Sequence, residues 1–255
     1  MFSTKYTIRA KIIIMENPYL SVIIPAYNEA KRLPLTLIDI DKHLKSADFS
    51  YEIIVVNDGS HDATPEVVER LSHLIDNLKL INQKNTGKGG AVKRGMLEAK
   101  GDIRLFTDAD NSTSIDQFSK MIPYFNEGYS TVIASRDIEG AQLIPPQSWY
   151  KRLMGNLGNL FIQALLLPGI WDTQCGFKAF TKEAAERIFS LIKINQFGFD
   201  VEILALAKKM GYKIKEVPAI WVDKAGSKVK ATDYFQVLWE VVKIKWWIIA
   251  GKYKL

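Results

Sequence analysis

The chain has 255 residues, 47% of them hydrophobic, so one α/β domain with an appendage and a real core is the natural expectation. Its single cysteine, Cys175, excludes an internal disulfide and fits a reducing cytoplasm. No apolar run approaches the roughly 20 residues needed to cross a bilayer. The formal charge of +6 suits an anionic partner: nucleic acid, a phosphate-bearing substrate or an anionic membrane surface.

Residues 1–19 read as an amino-terminal extension, whose only apolar run is Ile12 to Ile14, too short for a signal peptide. A first buried strand at 20–25 contains Ser21-Val22-Ile23-Ile24 and ends in Pro25-Ala26-Tyr27-Asn28-Glu29. A helix at 30–46 follows, then a strand at 51–57 that stops at Asn57-Asp58-Gly59-Ser60. Thr64 can cap a helix over 64–75, with Pro65 at its first position. After a strand at 78–82, Thr86-Gly87-Lys88-Gly89-Gly90 opens a helix at 88–99. Free backbone amides at such a start favour anions. The glycines match neither a Walker A loop nor the dinucleotide fingerprint, and a flexible connector is the competing reading.

The strand at 103–107 ends in Thr107-Asp108-Ala109-Asp110. Ser114 and Gln117 form a capping-box pattern ahead of a helix at 115–126, and a fifth strand follows at 131–135. Repeated strand–helix units predict a right-handed, mostly parallel sheet with helices on both faces. Gly140 and the Pro145-Pro146 pair mark 136–148 as a mobile loop. Trp149, Leu153, Leu157, Leu160, Phe161, Ala164 and Leu165 then recur at helical spacing until Pro168-Gly169. Residues 172–222 return to mixed strand and helix. The last segment, 232–255, sets Phe235, Leu238, Trp239, Val242, Trp246 and Ile249 on one helical stripe among lysines.

Ligands of a parallel sheet sit beyond the carboxyl ends of its strands. Three strands therefore bring Tyr27, Glu29, Asp58, Asp108 and Asp110 to one rim. Carboxylates gathered there suit a hard divalent cation, and such a cation commonly carries a diphosphate. In extended chain, residues i and i+2 point the same way, so Asp108 and Asp110 can share one cation. An aromatic ring and a carboxylate, Tyr27 and Glu29, can stack on and hydrogen-bond a nucleobase. A turn-forming cluster competes for Asp58 and a dipole partner for Glu29. His43, His61 and His73 have neither triad nor metal spacing, and Cys175 reads as a packed small residue.

Taken together, the three strand-end blocks resemble the family 2 glycosyltransferases, from residue 20 to nearly the end of the chain. Within that family, ASRDIEG at 134–140, DTQCGFKAF at 172–180, FDVEIL at 199–204 and GSK at 226–228 look like the polyprenyl-phosphate hexosyltransferases. They are most similar to the dolichyl-phosphate β-glucosyltransferases; mannosyl relatives tend to differ in the DTQCGFK segment. The resemblance implies an A-type glycosyltransferase fold, with a nucleotide-sugar half at about 20–135 and an acceptor half at about 136–231. It implies transfer of glucose from UDP-glucose to a dolichyl or undecaprenyl phosphate, with inversion, helped by Mg²⁺ or Mn²⁺. The amino-terminal membrane anchor of eukaryotic glucosyl members is not expected here.

By that resemblance Pro25, Ala26, Tyr27, Glu29 and Asp58 would meet the uracil end of the nucleotide, with Lys88 and Ala109 nearby. Asp108 would face the ribose or metal, and Asp110 would hold the metal. Ser112 stands where some mannosyl relatives carry a metal-binding glutamine. Arg136, Arg152, Lys178 and Lys228 are candidates to grip the acceptor phosphate, with Arg suited to bidentate phosphate contact. Asp110, Arg136 and Asp200 are the catalytic candidates. The poverty in bases fits a phosphate nucleophile, which already carries about −1.5 to −2 charge near pH 7.

A protein lying on the cytoplasmic face of a membrane, through the 149–167 and 232–255 helices, is the expected setting. A homo-oligomer is left open. A GDP-mannose-dependent enzyme is the nearest rival. A basic nucleic-acid-binding protein would leave the acidic rim unexplained and shows no clustered basic reading face, so no nucleic-acid partner is expected. An inactive membrane-associated module is the third class.

Overall fold

The computed structural model describes residues 17–146, 149–224 and 231–254, with side chains omitted for 149–154 and 231–233. The first half alternates β1 (Leu20–Ala26), α1 (Leu33–Leu44), β2 (Tyr51–Asp58), α2 (Thr64–Ser72), β3 (Leu78–Gln83), α3 (Lys88–Glu98) and β4 (Ile103–Thr107). A 3-10 turn (Ile115–Lys120) and α4 (Ile122–Asn126) lead to β5 (Thr131–Ser135). The second half carries β6 (Gln142–Ile144), α5 (Trp149–Leu165), β7 (Phe177–Thr181), α6 (Lys182–Leu191), α7 (Phe199–Lys209), β8 (Ile214–Pro218), β9 (Ile220–Val222) and α8 (Ala231–Ile249).

Seven strands form one sheet in the order β3-β2-β1-β4-β7-β5-β8. Its neighbours run parallel, except that β7 lies antiparallel between β4 and β5. The expected mostly parallel sheet is therefore present, and the same sheet passes without a break from the first half into the second. Every residue of β2, β4 and β5 is buried, which is why Ile53–Val56, Leu105-Phe106 and Val132–Ala134 read as apolar runs within them.

The two-residue alternation divides the core between the faces. Ile23, Ile54, Val56, Phe106 and Phe180 pack with α3, α6, α7 and α8 on one face. Val22, Ile24, Ile53, Val55 and Leu105 pack with α1, Val68 of α2 and Phe118 on the other. Each such fully buried aliphatic or phenyl side chain contributes about 1.5–3 kcal/mol relative to exposure.

Several local expectations are corrected. The helix expected at 115–126 breaks into the 3-10 turn and α4, because Pro123 lacks an amide and its ring crowds the preceding turn. The Ser114–Gln117 capping box does not form. Gln117 instead clamps Ile220, donating to its carbonyl at 2.8 Å and accepting from its amide at 2.7 Å. Thr64 lies inside α2, after Ala63 at the cap position. Its hydroxyl serves Glu29, whose amide donates to it at 2.8 Å. The stretch 136–148 is not wholly loop, since β6 pairs in parallel with β9. That partner lies far down the chain, where no local pattern announces it.

Candidate active site

The turn after β1 is built by side chains that tie its amides down. Asn28 adopts φ +53°, a left-handed conformation asparagine tolerates. Its amide donates to Ser60 Oγ at 2.9 Å, and its side-chain oxygen accepts from the His61 amide at 2.8 Å. Glu29 takes Arg32 in a two-pronged pair at 2.6 and 2.7 Å. Tyr27 stands 37% exposed, edge-on to the His61 ring. Asp58 ends β2 nearly buried, and its carboxylate accepts from Gln83 Nε2 and the Thr86 and Gly87 amides at 2.8–2.9 Å.

The Thr86–Gly90 segment therefore does not offer the free amides expected of it. Its first two are taken by Asp58, and those of Gly89 and Gly90 donate to the Asn195 carbonyl at 2.8 and 3.3 Å. Lys88 is what this segment delivers: its Nζ lies 2.6 Å from Asp108 Oδ1. Burial alone would lower the Lys88 ammonium, but Asp108, Asp200 and Asp110 together hold it above its ordinary range.

β4 stops at Thr107, so Asp108–Asp110 lie in a turn rather than the extended chain that was to aim both carboxylates alike. The Ala109 carbonyl accepts from Thr36 Oγ1 at 2.8 Å, and Asp110 Oδ1 accepts from the Ser112 amide at 3.0 Å. Arg32 reaches across from Glu29 to within 3.9 Å of Asp110. Sequence reasoning missed this cation, although its spacing of three from Glu29 was a usable signal. Among the described residues, no three His, Cys, Asp or Glu side chains gather as a metal cage. Two partly exposed carboxylates on one turn fit a hard cation that takes its other oxygens from phosphate and water.

Asp172 organises the opposite wall. Its carboxylate accepts from Arg136 through the backbone amide, Nε and Nη2 at 2.7–3.0 Å, and from the Gln174 and Cys175 amides at 3.1 Å. Burial would raise its pKa, but Arg136 wins and holds it at about 2. The guanidinium also lies 5.7 Å from the Trp221 ring centre. Glu216, another residue that sequence reasoning missed, accepts from the Trp171 and Asp172 amides at 2.9 and 3.0 Å. Gly176 follows in the same turn, and a Cβ there would fall on the Asp108 carboxylate. The DTQCGFK turn thus presses directly against the rim.

Lys178 is corrected as a candidate phosphate grip. It is 0% exposed, donating to the Cys175 carbonyl at 2.6 Å and to Asp200, with the Phe106 ring beneath it. The antiparallel placement of β7 turns this lysine into the core, where only its pairing with Asp200 makes burial tolerable. Burial pushes the Asp200 carboxyl up, against the pull of Lys178 and Lys88. Cys175 is packed as expected, with burial pushing its thiol up to about 12. The Arg152 side chain and all of Lys228 lie outside the described residues.

Comparison with known proteins bears on the family and the fold. The profile described as Glycosyl transferase family 2 matches residues 21–189. A dolichyl-phosphate beta-glucosyltransferase of Dictyostelium discoideum is 38% identical, over 94% of this chain and 78% of its own length. The protein of that name from Homo sapiens is 33% identical, over 92% of this chain and 78% of its own. Among solved structures, mannosyl-3-phosphoglycerate synthase from Rubrobacter xylanophilus superposes with TM-score 0.67 at 20% identity, over 93% of this chain and 76% of its own. Glucosyl-3-phosphoglycerate synthase from Mycobacterium tuberculosis, in complex with Mn²⁺, UDP and glucosyl-3-phosphoglycerate, superposes with TM-score 0.63 at 20% identity, over 89% of this chain and 78% of its own. These two likenesses establish the A-type fold.

Proposed function

The chain belongs to glycosyl transferase family 2, and from that premise we propose that it moves glucose from UDP-glucose to a polyprenyl phosphate of the dolichyl or undecaprenyl class. The observation that carries this reading is the DTQCGFK turn packed against Asp108, which joins an arginine held by Asp172 to the acidic rim. The relatives, dolichyl-phosphate beta-glucosyltransferases, support the same acceptor and sugar.

In this reading a phosphate oxygen of the lipid attacks the anomeric carbon. A new C–O bond forms on one face as the bond to UDP breaks on the other, giving inverted polyprenyl phosphoglucose and UDP. The nucleophile is already anionic, so no strong base is required. Tyr27 and Glu29, with Pro25 and Ala26 beneath them, line the base pocket, and Asp58 shapes its wall through Thr86 and Gly87. Lys88 and Asp108 set the diphosphate end. Asp108 and Asp110 would hold Mg²⁺ or Mn²⁺, which when bound offsets the charge of the departing diphosphate. Arg136 takes the acceptor phosphate, and Asp200 supports Lys88 and Lys178 from behind.

The lipid acceptor brings the protein to the cytoplasmic face of a membrane. Among the described residues no helix is long and apolar enough to cross one. Leu157 and Leu160 of α5, with Phe235, Trp239 and Trp246 of α8, are outward-facing and apolar, the surface suited to resting on lipid.

Transfer of radiolabelled sugar to a short polyprenyl phosphate, run with UDP-glucose and GDP-mannose in parallel, is the test. Label should enter the lipid from UDP-glucose. Transfer from GDP-mannose alone would replace the donor assignment. No transfer from either, with lipid still bound, would leave an inactive membrane module.

A further inference from the structure

The segment between α6 and α7, Ile192–Gly198, is held at both ends by buried carboxylates. Glu202, 0% exposed, accepts from the Lys193 and Ile194 amides at 3.0 and 2.9 Å and from Tyr253 Oη at 2.5 Å. Glu240, on the inner face of α8, accepts from the Gly198 amide at 2.9 Å. Between these anchors the Asn195 carbonyl receives the Gly89 and Gly90 amides at the start of α3. Contact there is backbone to backbone. A Cβ on Gly87 would lie 2.5 Å from the Asn195 carbonyl oxygen, and one on Gly89 would lie 2.8 Å from that of Ile194. Lys88, the partner of Asp108, stands between those two glycines.

We propose that Glu240 is a positioning residue for the nucleotide-sugar site: it fixes the Ile192–Gly198 segment, which caps α3 and thereby sets Lys88 against Asp108. This rests on the donor reading above. A carboxylate among Val237, Val241 and Ile244 is costly unless its acceptor capacity is used, and docking α8 by apolar contact alone would not require it. Glu202 and Tyr253 perform the same service at the other end of the segment, so the carboxyl-terminal part of the chain reaches the donor site at two points.

The test is calorimetric titration of UDP at fixed Mn²⁺, with steady-state kinetics, on the full chain. Glu240→Ala orphans the Gly198 amide. It should weaken UDP binding about tenfold and raise the KM for UDP-glucose alike, leaving the KM for polyprenyl phosphate at its wild-type value. Glu240→Gln, whose amide oxygen still accepts, should restore most of the affinity. Tyr253→Phe keeps the ring and should move UDP binding the same way by a smaller factor, which decides the matter if Glu240→Ala does not fold. Wild-type UDP affinity in folded Glu240→Ala and Tyr253→Phe, or parallel rises in both KM values, would overturn the positioning role. Wild-type protein that does not bind UDP would instead overturn the donor reading.

Discussion

A methyl group at position 176 would land on the Asp108 carboxylate, so this glycine is required by a neighbour and not by a turn. Gly176→Ala must displace Asp108 or the DTQCGFK backbone. We expect transfer to fall about a hundredfold with near-native circular dichroism, since a displacement near 1 Å at a reacting site costs about that much. Normal turnover in the folded variant would show that Asp108 has room to yield. Asp110→Ala should also lower transfer by about a hundredfold or more without unfolding the protein, since on the proposed reading it removes a carboxylate that would hold the cation of the departing diphosphate. Undiminished activity of that variant, or of wild type in EDTA, would end the metal assignment.

Asp172 has its own pH signature. With its pKa held at about 2 against an ordinary 3.8, the Arg136 pairing contributes its stability above about pH 4 and loses it as pH falls toward 2. The contribution is about 2 kcal/mol. Denaturant titrations from pH 5 to pH 2 should show Asp172→Asn with a shallower acid loss than wild type. Parallel curves would mean that the pair does not govern acid stability.

On α8, two apolar faces compete for the interior. Val237, Val241 and Ile244 go in, while Phe235, Trp239, Val242, Trp246 and Ile249 stay out. Trp239→Asp and Trp246→Asp should each weaken flotation with anionic vesicles by about tenfold, because each removes a large apolar anchor without touching the core. Flotation at the wild-type level would move the docking surface elsewhere.

The exposed stripe was legible from its spacing, but its direction was not, because periodicity cannot say which of two apolar faces is buried. The strands β1, β2 and β4 were legible for the opposite reason: burial on both faces makes them largely apolar, with Arg104 the one charge inside β4. Tyr27, Glu29, Asp58, Asp108 and Asp110 followed from those strand ends. Arg32, Asn195, Glu216 and Glu240 did not stand out, since most meet partners on other elements and carboxylates on helices read as solvated. Lys178 misled for a related reason: a lysine in sequence reads as exposed unless its buried partner, Asp200, is known.

For the whole molecule, the single reversed strand sets an order of assembly. β1 to β4 hydrogen-bond to one another in the order β3-β2-β1-β4, and only the outer edge of β4 waits for a later strand, β7. β5, buried along its whole length, has only β7 and β8 as neighbours, and β7 carries Lys178, which has no counter-charge until Asp200 arrives. Pulsed hydrogen exchange during refolding should therefore protect amides of β1, β2 and β4 before those of β5 and β7. Simultaneous protection across the sheet would show one cooperative step instead. During synthesis at about 5–20 residues per second, the wait from β5 to Asp200 amounts to several seconds. Through that interval a strand with an apolar Val132-Ile133-Ala134 centre hangs from the β1–β4 half-sheet with both hydrogen-bonding edges bare, the form in which a chain most readily pairs with another copy of itself. The span between translation of Ser135 and of Asp200 is thus the window in which a holdase chaperone, or crowding by sister chains, decides the yield of this protein.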